Sequence, residues 1–135
     1  MKRLMSALLA LLLLASCSGA QHTCAYPPLV GNWSGLLPAA DCPGVEYSIN
    51  FYPDSTYTLV TNYIDGEGDG VDIKFESQGS IKLWTQDGVN YMQLLPPPGN
   101  DTVNFIVEGK GSVLLLNNRM EKPSNESLYR IKKMK

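Results

Sequence analysis

The clearest pattern in this chain is the run VEYSINFYPDSTYTLVTNY, which covers residues 45–63. Apolar and aromatic side chains occupy every second position from Val45 to Phe51, with polar residues between them. A period of two is typical of a β-strand with one buried face. The residues Pro53-Asp54-Ser55 have the chemistry of a turn, and Tyr57–Tyr63 then alternates in the same way. The run therefore predicts an antiparallel hairpin.

The chain continues in short strand-like segments that are separated by turns and by an acidic, glycine-rich loop, Asp65–Gly70. We predict further strands at Val71–Glu76, Gly79–Thr85, Asn90–Leu95, Thr102–Val107, Val113–Leu116 and Leu128–Lys132. About nine short strands in one small domain favour an up-and-down meander, and closure into a barrel removes its edges. The sequence thus predicts an all-β fold, a small antiparallel meander barrel over residues 29–135. Such a barrel holds either packed side chains or one small ligand.

The N-terminus is typical of a bacterial lipoprotein precursor. Lys2 and Arg3 precede an apolar run, Leu4–Ala15, that is too short to cross a bilayer as a helix. The run ends in Leu14-Ala15-Ser16-Cys17, which matches a lipobox, the site where cleavage leaves a lipidated N-terminal cysteine. We predict a signal peptide over residues 1–16, lipidation of Cys17 and a tether over residues 17–28.

Lipidation also sets the predicted location. One acyl chain holds a protein weakly and two hold it stably, and a lipidated cysteine usually carries more than one. Ser18 follows the cysteine and resembles an outer-membrane sorting signal, and no acidic cluster follows that would suggest surface export. We predict a protein that is lipid-anchored at the outer membrane and faces the periplasm.

The composition argues against several classes of function. The chain has 13 acidic and 11 basic side chains, a formal net charge of −2, whereas nucleic-acid binding needs a basic stripe. His22 is the only histidine and lies in the tether, so no convincing Ser/His/Asp arrangement can be built with it. We predict that the protein is not an enzyme and binds no nucleic acid.

Three cysteines occur in the chain. If Cys17 carries lipid, Cys24 and Cys42 remain as an even pair in an oxidising compartment. An unstrained bridge between them would stabilise the fold by about 3 kcal/mol. Cys24 and Cys42 are therefore a candidate disulfide.

The densest group of distinctive residues is GNWSGLLPAADCPGV, residues 31–45. It resembles the N-terminal domain of the NlpE family of copper homeostasis and envelope-stress lipoproteins, whose run is roughly G-x-W-x-G-x-L-P-C-A-D-C-x-G-I. Phe75 and Gly79 fit the family's next strands, and Leu128–Lys133 resembles its closing strand. The resemblance implies a lipocalin-like barrel, and it implies a role in copper tolerance or in envelope and surface stress signalling through a partner. Larger members carry a second domain, and we do not extend that domain's functions to this chain.

One departure from the family pattern concerns copper. The family's C-x-x-C corresponds here to Ala39-Ala40-Asp41-Cys42, so the first thiol is missing. Two thiolates with two residues between them hold Cu(I), because a soft ion prefers soft sulfur ligands, and one thiolate alone does not. A Cu(I) site in this chain would need Cys42 together with Cys24, and His22 could add a nitrogen ligand.

Three functions stay open at this point. The first is a non-enzymatic envelope lipoprotein of the NlpE type, in copper tolerance or stress signalling. The second is a lipocalin-like carrier of a small apolar ligand. The third is a periplasmic module that binds or inhibits another protein through its surface.

Overall fold

The structure, a computed structural model, describes residues 29–109 and 111–135, in which eight antiparallel strands close into a barrel in sequence order. The strands are β1 (Gly31–Leu37), β2 (Gly44–Phe51), β3 (Thr56–Ile64), β4 (Ile73–Gln86), β5 (Val89–Leu95), β6 (Val103–Gly109), β7 (Ser112–Leu116) and β8 (Arg130–Lys133). A short 3₁₀ helix, Glu126–Tyr129, leads into β8. The prediction of an all-β, antiparallel meander barrel is confirmed. The predicted signal peptide and tether lie outside the described residues.

The predicted hairpin is formed by β2 and β3, which pair from Val45 opposite Tyr63 to Phe51 opposite Tyr57. Its turn is stabilised by Asp54, whose carboxylate accepts hydrogen bonds from the backbone and the hydroxyl of Thr56 at 3.2 and 2.5 Å. An aspartate that bonds to the backbone two residues ahead is a common way to build a tight turn. The local sequence therefore accounts for this hairpin.

Two predicted strand positions are wrong. The segments Val71–Glu76 and Gly79–Thr85 were expected as separate strands, but one strand of 14 residues, β4, runs from Ile73 to Gln86 and joins them, and Val71 and Asp72 precede it. Its first half pairs with β3 as far as Ser80, and from Ser80 onwards it pairs with β5. A Cβ atom on Gly79 would overlap the backbone carbonyl oxygen of Leu95. The glycine therefore permits a close approach of two backbones and does not mark a turn.

The two ends of the barrel also differ from the strand predictions. β1 was not among the strands predicted by alternation, although the family pattern covers it. The predicted closing strand Leu128–Lys132 begins only at Arg130, because Glu126–Tyr129 forms the 3₁₀ helix. The barrel has eight strands, where about nine were expected from the spacing of turns.

The core of the barrel is filled by inward side chains from all eight strands. The largest fully buried ones in this core are Trp33, Tyr57, Phe51, Phe105, Ile49, Met92, Leu94, Ile131 and Val113. Trp33 packs edge-to-face on Phe51 with 5.9 Å between ring centroids, and its indole nitrogen donates to the Leu29 carbonyl at 2.8 Å. The indole nitrogen is the only polar atom of the side chain, and this bond gives it a hydrogen-bond partner inside the core.

Closure of the barrel depends on the short strand β8. It pairs with β7 and, over Trp33 and Ser34, with β1. A Cβ atom on Gly35 would lie 3.0 Å from both the Arg130 carbonyl oxygen and the Ile131 side chain. The missing side chain at Gly35 thus leaves room for the closing strand. On the outside, the Arg130 guanidinium forms two hydrogen bonds to the Glu108 carboxylate at 2.8 and 2.9 Å.

The Glu108–Arg130 pair gives a prediction about pH. The Arg130 guanidinium, aided by the Ser112 hydroxyl, lowers the pKa of Glu108 below its ordinary value of 4.5. A carboxyl whose pKa is lowered on folding stabilises the fold above its unfolded pKa and loses this contribution as the pH falls through its folded pKa. We expect Glu108→Gln to lower the Tm at pH 7, and we expect the difference from wild type to shrink steadily below about pH 4.5. Thermal melts followed by circular dichroism across this pH range measure it.

The matched control is Glu126→Gln. Glu126 forms a single 3.6 Å contact with Lys122 on the exposed surface, and such pairs contribute little to stability. We expect its Tm to stay close to that of the wild type at every pH. A Glu108→Gln variant whose Tm difference is the same at pH 7 and at pH 3 would contradict the role of this ion pair.

Candidate functional site

The loop that departs from the family pattern lies at one end of the barrel. It joins β1 to β2, and it faces the end of β3 and the start of β4. Together these elements form a small cleft of about 260 Å³, which we call the mouth cleft. It is lined by Ala39, Ala40, Asp41, Cys42, Tyr63, Gly66, Ile73 and Phe75.

The walls of the mouth cleft are mainly apolar. Tyr63 and Phe75 contact each other edge-to-face with 5.7 Å between centroids, and Phe75 keeps 59% of its surface exposed. Further inside, Tyr47 packs against the core, and burial raises the pKa of its phenol, with a smaller contribution from Tyr63. The Tyr47 phenol is therefore neutral at physiological pH, and Asp41 is the one ionisable carboxyl group among the residues that line the cleft.

Cys42 is the one cysteine among the described residues. It is half-buried, and its thiol donates a hydrogen bond to the Gly44 carbonyl oxygen at 3.2 Å. The other predicted site residues, Cys17, His22 and Cys24, lie outside the described residues. Lipidation of Cys17, the Cys24–Cys42 disulfide and the metal ligands therefore stay predictions.

Chain length constrains any partnership between Cys24 and Cys42. Leu29 lies next to the start of β1, and Cys42 lies beyond its other end, because Leu37 pairs with Val45. β1 covers about 20 Å from its first to its last Cα atom, whereas the five steps from Cys24 to Leu29 can span at most about 18 Å and a disulfide adds about 5.5 Å between Cα atoms. A bridge or a shared metal would thus require the tether to run almost fully extended beside β1.

The described residues do not fit a two-thiolate Cu(I) site. Ala39 has no ligating atom where the family pattern has a thiol, and Asp41 offers a hard oxygen that Cu(I) disfavours. Across residues 29–109 and 111–135, no group of three or more His, Cys, Asp or Glu side chains could hold a metal ion. Cys42 is the single soft donor in this cleft, so copper binding would depend entirely on the tether.

The acidic loop beside the mouth cleft uses its carboxylates to hold itself in shape. Asp65 accepts a hydrogen bond from the Gly70 amide at 2.6 Å, and Asp72 accepts from the Asp65 amide and the Asn62 side chain at 3.0 and 3.1 Å. These bonds favour the ionised form and lower the pKa of Asp72. The carboxylates of Asp65 and Asp72 therefore stabilise the conformation of the loop that connects β3 to β4.

The aromatic wall of the mouth cleft was not singled out as a site by the sequence. Tyr63 and Phe75 are twelve residues apart along the chain. Only the pairing of β3 with β4, which places Tyr63 opposite Ile73, brings them together. A signal was available, because both residues fall on the inward positions of their strands, at the ends nearest the connecting loop. To use this signal, one must know the register in which β3 pairs with β4, and the long loop between the strands does not fix that register.

Within the described part of the chain, no helix has the length and hydrophobicity needed to span a membrane. This finding concerns residues 29–109 and 111–135 only.

Two solved structures have a similar fold. A protein from Shewanella oneidensis classed as a candidate lipoprotein gives a TM-score of 0.58 at 21% sequence identity, with 77% of this chain and 87% of that chain covered. The Cpx pathway activator NlpE from Escherichia coli gives a TM-score of 0.53 at 23% identity, with 72% of this chain and 47% of that chain covered. The present chain thus spans about half of the Escherichia coli protein.

Sequence comparisons match this chain to a family and not to an individual curated protein. No curated protein matches the chain. The model of the NlpE N-terminal domain matches residues 33–126, which run from the buried tryptophan of β1 to the start of the 3₁₀ helix. That match covers more than half of the sequence and includes the loop with Ala39 and Cys42. The chain belongs to the NlpE N-terminal domain family.

Proposed function

We propose that this protein is a non-enzymatic envelope lipoprotein that reports the state of the cell envelope to a protein partner. In this proposal Cys17 carries the lipid, the barrel faces the periplasm from the outer membrane, and the partner is contacted through the barrel's surface. Family membership and the barrel fold support the proposal. The lipobox at Cys17 and the serine that follows it support the location.

The observation that carries this choice is the chemistry of the mouth cleft. The loop has one thiol, Cys42, and Ala39 stands where the family pattern has a second thiol. The cleft around them is mainly apolar, and its volume of about 260 Å³ is below the 300–1,000 Å³ that is typical of small-molecule sites. Copper handling and carriage of a small apolar ligand are therefore less well supported than contact with a protein.

Expression in a cell with an envelope-stress reporter tests the proposal. We expect overproduction of the full chain in Escherichia coli to raise a Cpx-responsive transcriptional reporter severalfold. The matched variants Cys42→Ala and Cys42→Ser should raise it equally, because the thiol is not needed as a metal ligand. Cys42→Ser keeps a donor for the Gly44 carbonyl, so it separates the role of sulfur from the role of the hydrogen bond.

Two outcomes would contradict the proposal. A reporter that does not respond although the wild-type chain is overproduced would exclude stress signalling in this host. A response that needs added copper and is lost in both Cys42 variants would assign the protein to copper handling.

The anchor is tested in the same cells with labelled palmitate. We expect Cys17→Ala to incorporate no label and to leave the membrane fraction, whereas the Cys42 variants keep both label and location. A Cys17→Ala protein that is still labelled and still sediments with membranes would contradict the lipobox interpretation.

A further inference from the structure

The first half of β4 has one unpaired edge. On one side, Ile73–Gly79 pairs with β3, from Ile73 opposite Tyr63 to Gly79 opposite Tyr57. On the other side, pairing with β5 begins only at Ser80, which lies opposite Leu95. Among the described residues, no strand pairs with the outer side of Ile73–Gln78. We call these six residues the edge segment.

The register shows which backbone groups are left unpaired. The amide of Ile81 donates to the carbonyl of Ser55 at 2.9 Å, so the backbone groups of this residue point towards β3. Successive residues of an antiparallel strand point their backbone groups to opposite sides. Since β4 continues to the edge segment without a bulge, the amides and carbonyls of Lys74, Glu76 and Gln78 point away from β3. They form a regular row of donors and acceptors in an extended conformation.

The chain itself prevents β5 from covering this edge. β5 ends at Leu95, and Pro96-Pro97-Pro98 follows, three residues that have no amide hydrogen to donate. The Leu95 carbonyl lies close to Gly79, and the pairing of β5 with β4 ends there, at Ser80 opposite Leu95. An open cleft of about 520 Å³ lies over Thr58–Val60 of β3 and Glu76–Gln78 of β4, and Pro97 and Asn100 border it.

The side chains of the edge segment alternate in chemistry. Ile73 and Phe75 belong to the inward-facing set, and Phe75 is 59% exposed because no strand lies next to it on that side. Lys74, Glu76 and Gln78 belong to the outward-facing set, and all three are exposed. Proteins usually protect edges of this length by a proline, a bulge or a covering loop. The edge segment has no proline and no bulge, and Lys74 is its one cationic side chain of the kind that disfavours pairing with another strand.

We propose that the edge segment binds an extended peptide segment of a protein partner by β-strand addition. The added strand would lie beside the edge segment on the side away from β3, would exchange backbone hydrogen bonds with Lys74, Glu76 and Gln78, and would alternate apolar residues beside Phe75 with polar residues beside Glu76. In such recognition the main chain supplies affinity and alternate side chains supply specificity. The identification of this partner with the signalling partner rests on the proposed function, whereas the binding itself does not.

Amide hydrogen exchange on the full chain, purified in detergent, tests the binding. The probe is a synthetic peptide that alternates valine and threonine and has lysine pairs at its ends for solubility. We expect saturating peptide to slow exchange at the amides of Lys74, Glu76 and Gln78, with little change at Phe75 and Ser77, whose amides already face β3. The control peptide has prolines at its central positions and should protect none of them.

A matched pair of variants tests the backbone directly. Glu76→Pro removes an amide that points away from β3, so the pairing with β3 is kept while strand addition is blocked. We expect peptide affinity to fall by about tenfold or more. Glu76→Ala removes the same side chain but keeps the amide, and its affinity should stay near that of the wild type. Protection of the Phe75 and Ser77 amides, together with the Tm, verifies that Glu76→Pro is folded.

Three results would overturn the proposal. The first is an absence of peptide-dependent protection at the edge segment of the folded wild-type chain. The second is protection of these amides without peptide, independent of protein concentration, which would mean that the chain's own N-terminal segment occupies the edge. The third is protection without peptide that rises with protein concentration, which would assign the edge to a second copy of the chain.

The cell assay separates this proposal from the proposed function. If the wild-type chain raises the stress reporter and Glu76→Pro raises it equally, signalling stands and the edge segment is not its docking surface. If the wild-type chain leaves the reporter unchanged while the peptide protects the edge in vitro, the edge binds a strand but stress signalling fails. If Glu76→Pro loses both peptide binding and the reporter response while Glu76→Ala keeps both, the results support strand addition at the edge segment and the proposed function.

Discussion

Replacing Gly79 by alanine is expected to destabilise the barrel by about 3 kcal/mol, the upper end of the range for overpacking. A Cβ atom at this position overlaps the carbonyl oxygen of Leu95 and lies 3.2 Å from the Cα atom of Pro96. Both neighbours are backbone atoms, so no side-chain rotation can relieve the contact. The strands β4 and β5 would have to separate where their pairing begins, and a small domain has only about 5–15 kcal/mol of total stability.

Urea unfolding followed by circular dichroism measures this effect, and Gly44→Ala is the matched control. Gly44 also lies in a strand, but the nearest atom to its added Cβ would be the end of the exposed Leu36 side chain at 3.0 Å, and the nearest backbone atom, the Leu37 carbonyl oxygen, would be 3.3 Å away without overlap. We expect Gly44→Ala to cost less than about 1 kcal/mol. Equal unfolding midpoints for the two variants would show that the approach of Leu95 to Gly79 is not a constraint on the fold.

Replacing Trp33 by alanine is expected to reduce the free energy of unfolding by about 3–5 kcal/mol. Trp33 is 2% exposed, packs on Phe51 and donates its indole hydrogen to the Leu29 carbonyl. Its removal leaves a large cavity and an unpaired carbonyl, and it also releases the segment that precedes β1. Trp33→Phe should recover part of the loss, because it refills much of the cavity without restoring the hydrogen bond.

The second tryptophan of the chain is the control. Trp84 is half-buried on the outer side of β4, where it stacks on Tyr91 with 5.5 Å between centroids and lies under the Lys82 ammonium. We expect Trp84→Ala to cost about 1 kcal/mol. Circular dichroism should be the probe, because both substitutions alter fluorescence directly. A Trp33→Ala protein that unfolds at the wild-type urea concentration would contradict the core assignment.

Much of the fold could be predicted because its signals are local. The alternation in residues 45–63 and the turn at Asp54 specify the β2–β3 hairpin, and both are visible within a short window of sequence. The type of fold also followed, since short strands with turns at regular intervals have few alternatives to a meander. The union of two predicted strands into β4 could not be foreseen. The role of Gly79 depends on Leu95, which is 16 positions away and is brought close only by folding.

The candidate site was predicted in part. The importance of Ala39 and Cys42 followed from the family pattern, because a missing thiol changes which metals a loop can hold. The aromatic wall of Tyr63 and Phe75 was missed, since the pairing of β3 with β4 across a long loop has no local signal. The three predicted residues in the signal peptide and tether region, Cys17, His22 and Cys24, stay predictions.

The order of amino acids alone was enough to predict an all-β meander and a lipobox and to reveal the loss of one thiol relative to the family pattern, because each of these depends on neighbouring residues. The closure of the barrel by β8 over Gly35 and the unpaired edge of β4 depend instead on where distant backbones meet. Pro96-Pro97-Pro98 is visible in the sequence as a break in the chain. Its consequence, an open row of hydrogen-bonding groups on Lys74, Glu76 and Gln78, exists only once β4 has paired with β3 on one side and β5 has stopped short on the other.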